Sequence, residues 1–278
     1  MEFTKMEAAG NDFVLFNGFK YNIENLGALA KKACDRHYSV GGDGIMVCEN
    51  SNIADIKMIY YNSDGTEGEM CGNGIRCFSK YVYENNFINK TEFTVETLAG
   101  IKTIVLELDG NNKVKTIMVN MGKANLKPST IPVIFNRERV LEEKLEIDGE
   151  EVIFSSVLVG VPHVVIFVDN IENININELG KKIENHPIFP QKTNVNFIKI
   201  AKRNKIHIYT WERGAGRTLA CGTGASASVF VGNLLGKLDN KVKVMAEGGE
   251  LEIQIKENHQ IFMKGGANTI CKGIFLNM

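Results

Sequence analysis

Two short segments of the chain set a cysteine, a glycine, one small polar residue and a second glycine in a row: Cys71-Gly72-Asn73-Gly74 and Cys221-Gly222-Thr223-Gly224. Apolar residues at helical spacing follow each directly, so each cysteine is expected at the N-terminus of a helix. The first amides of a helix have no partner within it, and flanking glycines let an anion come close to them. The backbone N–H groups of Gly72, Asn73, Gly222 and Thr223 are therefore candidates for holding one substrate carboxylate. A thiol in that place feels the positive end of the helix, which draws its pKa from about 8.5 toward neutrality. With Cys71 on one face of a carbon atom and Cys221 on the other, one thiolate accepts a proton while one thiol delivers another, which inverts a stereocentre. The helix ends would also stabilise the negative charge that grows on the carboxylate as the proton leaves. This chemistry calls for no pyridoxal cofactor, no other cofactor and no metal.

Each piece has a blander meaning. A lone cysteine before a helix is most often a small buried hydrophobe, and it is the repetition that carries weight. Cys71 and Cys77 stand six apart without a neighbouring ligand pair, which argues against zinc. Gly214-Ala215-Gly216 lacks the later glycine and the Lys-Ser or Lys-Thr of a nucleotide loop, and Gly41-Gly42-Asp43-Gly44 reads as a tight turn. A thiol redox protein is the rival of a different class, but it would typically show Cys-Xaa-Xaa-Cys, which is absent.

The elements that must position these residues are mainly strands. Alternating β-branched and polar residues predict strands at 12–16, 56–61, 92–96, 101–107, 114–120, 164–168, 195–200, 205–210 and 241–245. Helices are expected over Leu26 to Arg36, Gly74 to Glu84, Ile176 to Glu184 and Gly224 to Leu235. Because the Cys-Gly-Xaa-Gly turn recurs half a chain apart, after a strand and an acidic loop each time, a duplicated unit is expected, with two similar lobes facing one another across a cleft. The polar stretch from Gly122 to Pro132 marks a soft boundary between them.

The 278 residues suffice for two medium domains, and 32 basic side chains nearly cancel 33 acidic ones. That balance points to a small-molecule partner, with no nucleic acid and no membrane. The N-terminus carries no basic region followed by an apolar run, and no stretch approaches the roughly 20 apolar residues of a membrane span, so a cytoplasmic protein is expected. Six scattered cysteines read as reduced thiols.

At these residues the chain resembles the diaminopimelate epimerase family, within the wider group of two-cysteine, proline-racemase-like enzymes. The pieces that carry the resemblance span the whole chain: Ala9-Gly-Asn-Asp-Phe13, Asp35-Arg-His37, Gly42-Asp-Gly44, Tyr61-Asn-Ser-Asp-Gly65 and Glu69-Met-Cys-Gly-Asn-Gly74 in the first half. Gly160-Val-Pro-His163, His186-Pro187, Thr193-Asn-Val-Asn196, Trp211-Glu-Arg-Gly-Ala-Gly216 and Ala220-Cys-Gly-Thr-Gly224 follow in the second. The resemblance implies an α+β fold of two pseudo-symmetric lobes, each a curled, mostly antiparallel sheet around a central helix. Its expected bounds here are 1–121 with Cys71, 122–265 with Cys221, and a tail over 266–278 returning to the first lobe. It implies epimerisation of LL- to meso-diaminopimelate, a step of lysine and peptidoglycan-precursor synthesis, with Cys71 and Cys221 as the acid–base pair. It also implies Asn11 in the substrate cleft, Asn62, Asn194 and Arg213 on the distal carboxylate, and Glu212 on the distal ammonium. Relatives are often dimers, so a homodimer is among the expected assemblies.

The chain departs from the family pattern at Val161, where many members carry asparagine, at Glu7, often histidine, and at Arg217, often acidic. Val161 removes one hydrogen bond to the distal carboxylate, which leaves histidine racemisation or lanthionine epimerisation as alternatives with the same mechanism. His163 reads either as an orderer of a cleft loop or, more commonly for such a residue, as a satisfied core histidine.

Overall fold

The computed structural model describes residues 1–276, so the expected tail over 266–278 lies outside the described residues at 277 and 278. In chain order the elements are β1 (Glu2–Ala8), β2 (Asn11–Asn17), α1 (Leu26–Ala33), β3 (Gly44–Glu49), β4 (Ile56–Asn62), α2 (Gly72–Glu84), β5 (Glu92–Thr97), β6 (Gly100–Leu108) and β7 (Val114–Lys123). They continue with β8 (Glu143–Ile147), β9 (Glu150–Val159), β10 (Val161–Phe167), α3 (Ile176–Glu184), β11 (Asn194–Lys202), β12 (Lys205–Glu212), β13 (Gly216–Thr218), α4 (Gly222–Leu234), β14 (Lys241–Ala246), β15 (Gly249–Ile255), β16 (Gln260–Gly265) and β17 (Asn268–Ile274). The fold is α+β, strands dominating.

Two compact units form: Met1–Asn120 together with the segment from Lys264 onward, and Met121–Met263. In the first unit β1/β2 is antiparallel, β2/β3 parallel, β3/β4 antiparallel, β4/β5 parallel and β5/β6 antiparallel. The second repeats that series in β9/β10, β10/β11, β11/β12, β12/β14 and β14/β15. Parallel neighbours need a crossover, and a helix fills each one. Thus α1 and α3 correspond, and α2 and α4 correspond.

The two kinds of helix differ in burial for a physical reason. The helix α1 buries only Leu29, Ala30 and Ala33, against Val14, Phe16, Ile45 and Val47, so it covers one face of its sheet. By contrast α2 buries an unbroken run from Gly72 to Ser79, and α4 from Gly224 to Gly232, which makes each a central helix wrapped by strands. A fully buried aromatic such as Phe78 or Phe197 contributes about 1.5–3 kcal/mol.

Asn25 caps α1 by accepting Ala28 N–H at 2.9 Å. The helix stops at Ala33 instead of reaching Arg36, because the Asp35 carboxylate accepts His37 N–H at 2.8 Å and Tyr38 N–H at 2.9 Å and turns the chain. No helix of the described residues is long and apolar enough to cross a membrane.

Candidate active site

Cys71 caps α2 in extended backbone conformation, and its Sγ accepts Gly74 N–H at 3.3 Å. The cap thereby takes the Gly74 amide, and the amides of Gly72 and Asn73 belong to the same first turn of the helix. Asn73 is buried, and its side-chain Nδ2 donates to Asn11 Oδ1 at 2.6 Å. Asn11 Nδ2 in turn donates to Asp43 Oδ2 at 2.9 Å, and Arg36 holds Asp43 Oδ1 at 2.7 Å. The same guanidinium grips both oxygens of Asp12 at 3.0 and 2.7 Å, and Lys5 reaches Asp12 at 2.7 Å. Burial alone would push the Asp12 carboxyl up, but Arg36 and Lys5 outweigh it and hold the pKa at about 2.

Asn62 ends β4 opposite Gly44 and accepts Tyr60 O–H at 2.6 Å while donating to Thr66 at 3.1 Å. The next residue, Ser63, donates its N–H to Asp43 O at 3.1 Å. Asn11, Asn62 and Asn73 therefore gather around Asp43. Arg36 and Asp43 lie inside the Asp35-Arg-His37 and Gly42-Asp-Gly44 motifs, but their residue types alone carry no signal of this network.

Cys221 caps α4 in the same way, with Sγ accepting Gly224 N–H at 3.4 Å and Thr223 Oγ1 at 3.2 Å from the sulfur. Asn196, one of the buried residues of β11, presses its side-chain oxygen against Gly224, where a methyl group would overlap it. The Glu212 carboxylate lies within hydrogen-bond reach of the Cys221 thiol. Thr218 donates to Glu212 Oε1 at 2.6 Å. The expected fall of this thiol toward neutrality is not what the site produces. Burial pushes the Cys221 pKa well up, and the Glu212 charge adds to it, against the hydrogen bonds from Thr223 and Gly224. Desolvation of a thiolate that is only 8% exposed outweighs the helix end.

Asn194 is buried at the start of β11, with Nδ2 on Pro162 O at 2.7 Å and Oδ1 accepting Arg213 N–H at 3.0 Å. The exposed Arg213 guanidinium donates to Gln191 O at 3.0 Å. Arg213 and Glu212 are thus fixed as neighbours with different surroundings, one outward, one against the thiol.

His163 is fully buried. Asn196 Nδ2 faces both its Nδ1 at 3.2 Å and Val164 O at 2.9 Å, and since an amide nitrogen only donates, Nδ1 accepts and the proton resides on Nε2. That buried Nε2–H has no hydrogen-bond partner among the described residues. Burial, with the Arg213 charge adding to it, holds the His163 pKa down at about 3.

Of the three departures, Glu7 accepts Asn268 Nδ2 at 2.5 Å, Arg217 grips Glu247 at 2.7 Å, and Val161 is half-buried opposite Val159 on β9. No group of three or more His, Cys, Asp or Glu among the described residues is placed to hold a metal ion.

The sequence matches the model of the family described as diaminopimelate epimerase over residues 3–127 and 155–270. The chain belongs to the diaminopimelate epimerase family. A diaminopimelate epimerase of Alkaliphilus metalliredigens is 46% identical over 278 residues, covering 100% of this chain and 98% of that one. One of Clostridium perfringens is also 46% identical, covering 99% of this chain and all of that one. Among solved structures, a probable proline racemase of Agrobacterium radiobacter superposes with a TM-score of 0.75 at 13% identity, over 99% of this chain and 93% of that one, which shows a shared fold. The Cys71 and Cys221 turns both lie inside the two matched segments of this epimerase family member.

Proposed function

We propose that the chain interconverts LL- and meso-diaminopimelate in the cytosol, with Cys71 and Cys221 moving the α-proton. The observation that carries this is the recurrence of one device: a thiol capping a central helix, hydrogen-bonded to the third amide and beside two amides at the first turn. One half-site suits one carbon face; inversion requires both.

In this mechanism Cys221 enters protonated, in keeping with its raised pKa, and delivers its proton to the face that it serves, while Cys71 accepts the α-proton on the other. The developing negative charge on the carboxylate is met by the helix amides. For the reverse direction Cys221 must lose its proton, and Glu212 beside it is the group placed to take it. Glu212 is thereby proposed to serve the thiol rather than the distal ammonium. The distal carboxylate falls to Arg213, with Asn194 holding its backbone. Asn62 and Asn11 complete the binding side chains of the first turn.

Val161 supports a second reading, the same chemistry on lanthionine or histidine, since it places an apolar group next to Pro162 and His163. A homodimer is part of the proposal: β17, paired with β1 among the described residues, exposes Ile270 and Ile274. Proton exchange in deuterium oxide, followed by NMR with LL-diaminopimelate, lanthionine and L-histidine, tests the reaction. Exchange with inversion of diaminopimelate alone is expected, the inversion being lost in both Cys71→Ala and Cys221→Ala. Exchange of another substrate would keep the two-thiol mechanism and move the substrate; full activity in either variant would end it.

A further inference from the structure

The loop carrying Glu212 and Arg213 is gripped at both ends by one side chain from α3. Glu184, the final residue of α3, is 4% exposed. Its Oε2 accepts the Trp211 indole N–H at 2.7 Å, and its Oε1 accepts the backbone N–H of Gly214 at 3.1 Å. Trp211 and Gly214 are the residues immediately before and after the Glu212-Arg213 pair. Lys192 approaches the same carboxylate at 3.6 Å.

The rest of that helix face is shaped for the same purpose. Gly180 precedes Glu184 by four residues, one turn along α3, and a methyl group there would come within 2.7 Å of Trp211 Cβ and Cγ. Glycine thus lets α3 lie close enough for Glu184 to reach the indole. A buried carboxylate loses hydration that an apolar side chain would not need, so what it supplies here is direction, through two donors that it alone can join.

We propose that Glu184 is a positioning residue for the Cys221 half-site: by clamping Trp211 and Gly214 it sets the turn that presents Glu212 to the thiol. This rests on the reading of Cys221 as an acid–base residue, and it assigns α3, far from either cysteine in sequence, a part in the reaction. A purely structural acid would tie α3 to the sheet without any effect on the thiol.

Trp211 is the chain's single tryptophan, so its emission reports the bond to Glu184. Glu184→Gln keeps the side chain's size but offers one acceptor oxygen to two donors, and Trp211→Phe removes one donor from the other side. On the full chain, the rates of alkylation of Cys221 and Cys71 would be followed by mass spectrometry against pH, beside Trp emission, circular dichroism and the kcat of α-proton exchange. In Glu184→Gln the emission shifts, and Cys221 alkylation at pH 8 quickens by about threefold or more as the Glu212 charge leaves the thiol, while Cys71 keeps its profile. The kcat falls on the order of 10–100-fold with the fold retained. Trp211→Phe moves Cys221 the same way, and carries the test if Glu184→Gln does not fold. A shifted emission with an unaltered Cys221 profile and kcat, an unshifted emission, or an unaltered Cys221 in Trp211→Phe would each overturn the proposal. If the wild type inverts no amino acid, the epimerase reading fails, yet the alkylation and emission measurements still decide the role of Glu184.

Discussion

Thr218 donates its hydroxyl to Glu212 at 2.6 Å, joining β13 to the end of β12 beside the Cys221 thiol. A hydrogen bond to a charged group contributes about 1.5–3 kcal/mol. Thr218→Val keeps the shape and deletes the bond, so kcat/KM for epimerisation is expected to fall about 10–100-fold, with the melting temperature lowered in step with the lost bond. Steady-state kinetics at saturating reductant measure it; wild-type kcat/KM would show that Glu212 does not need this anchor.

Gly224 faces the Asn196 side-chain oxygen with no room for a methyl group. Gly224→Ala must shift either the helix start or Asn196, which also holds His163, and overpacking of this kind costs about 1–3 kcal/mol. Thermal unfolding followed by circular dichroism should register the loss. An unchanged melting temperature together with full activity would contradict the close approach.

Acid stability should fall in two windows. His163 is held at about 3, below its ordinary 6.5, so the unfolded chain binds the proton first and stability drains as pH falls from 6.5 toward 3. Asp12 is held at about 2, below its ordinary 3.8, so its contribution is present above pH 4 and drains as pH falls toward 2. The Asp12 side chain is 18% exposed, and after solvent screening its share is about 1–2 kcal/mol. Melting temperatures against pH should therefore flatten between 6.5 and 4 in His163→Gln, and below 4 in Asp12→Asn. Slopes equal to wild type in those windows would refute the assignments.

The thiols should separate by reactivity. Burial pushes Cys34 up to about 12, Cys48 up to about 11, and Cys77 higher still, so none of these should react with iodoacetamide at pH 8 in the folded chain. Cys271 on β17 is exposed and should be modified first. Peptide mapping after brief alkylation checks the order, and early modification of Cys77 would be incompatible with the packing of α2.

Much of this was legible from residue types. Ile176–Glu184 has the bounds that its periodicity predicts, and the two cysteine helices begin at Gly72 and Gly222, two residues before the apolar pattern starts, because the glycines carry no periodic signal. Strands buried on both faces escaped: Gly44–Glu49 has five buried residues in succession and so shows no alternation. In the site, the Cys-Gly-Xaa-Gly turns stand in the sequence because each is one local motif. The surroundings of Glu212 do not, because Thr218 and Cys221 come to it, and Glu184 to the flanking Trp211 and Gly214, from a hairpin, a helix start and a helix end that only folding assembles. The ties of Asn11 to Asp43 and Arg36 are equally non-local.

The Arg76 guanidinium in α2 donates to the carbonyl of Gly266, just ahead of β17, and β17 pairs along β1. Every residue of the second unit is synthesised before that segment emerges from the ribosome. The half carrying Cys221 is encoded without interruption and has all its strands at hand during translation, whereas the half carrying Cys71 must wait, with the edge of β1 open, for β17 to arrive. The thiol that is translated first is therefore the one whose surroundings can be completed only after the whole of the second unit has been synthesised.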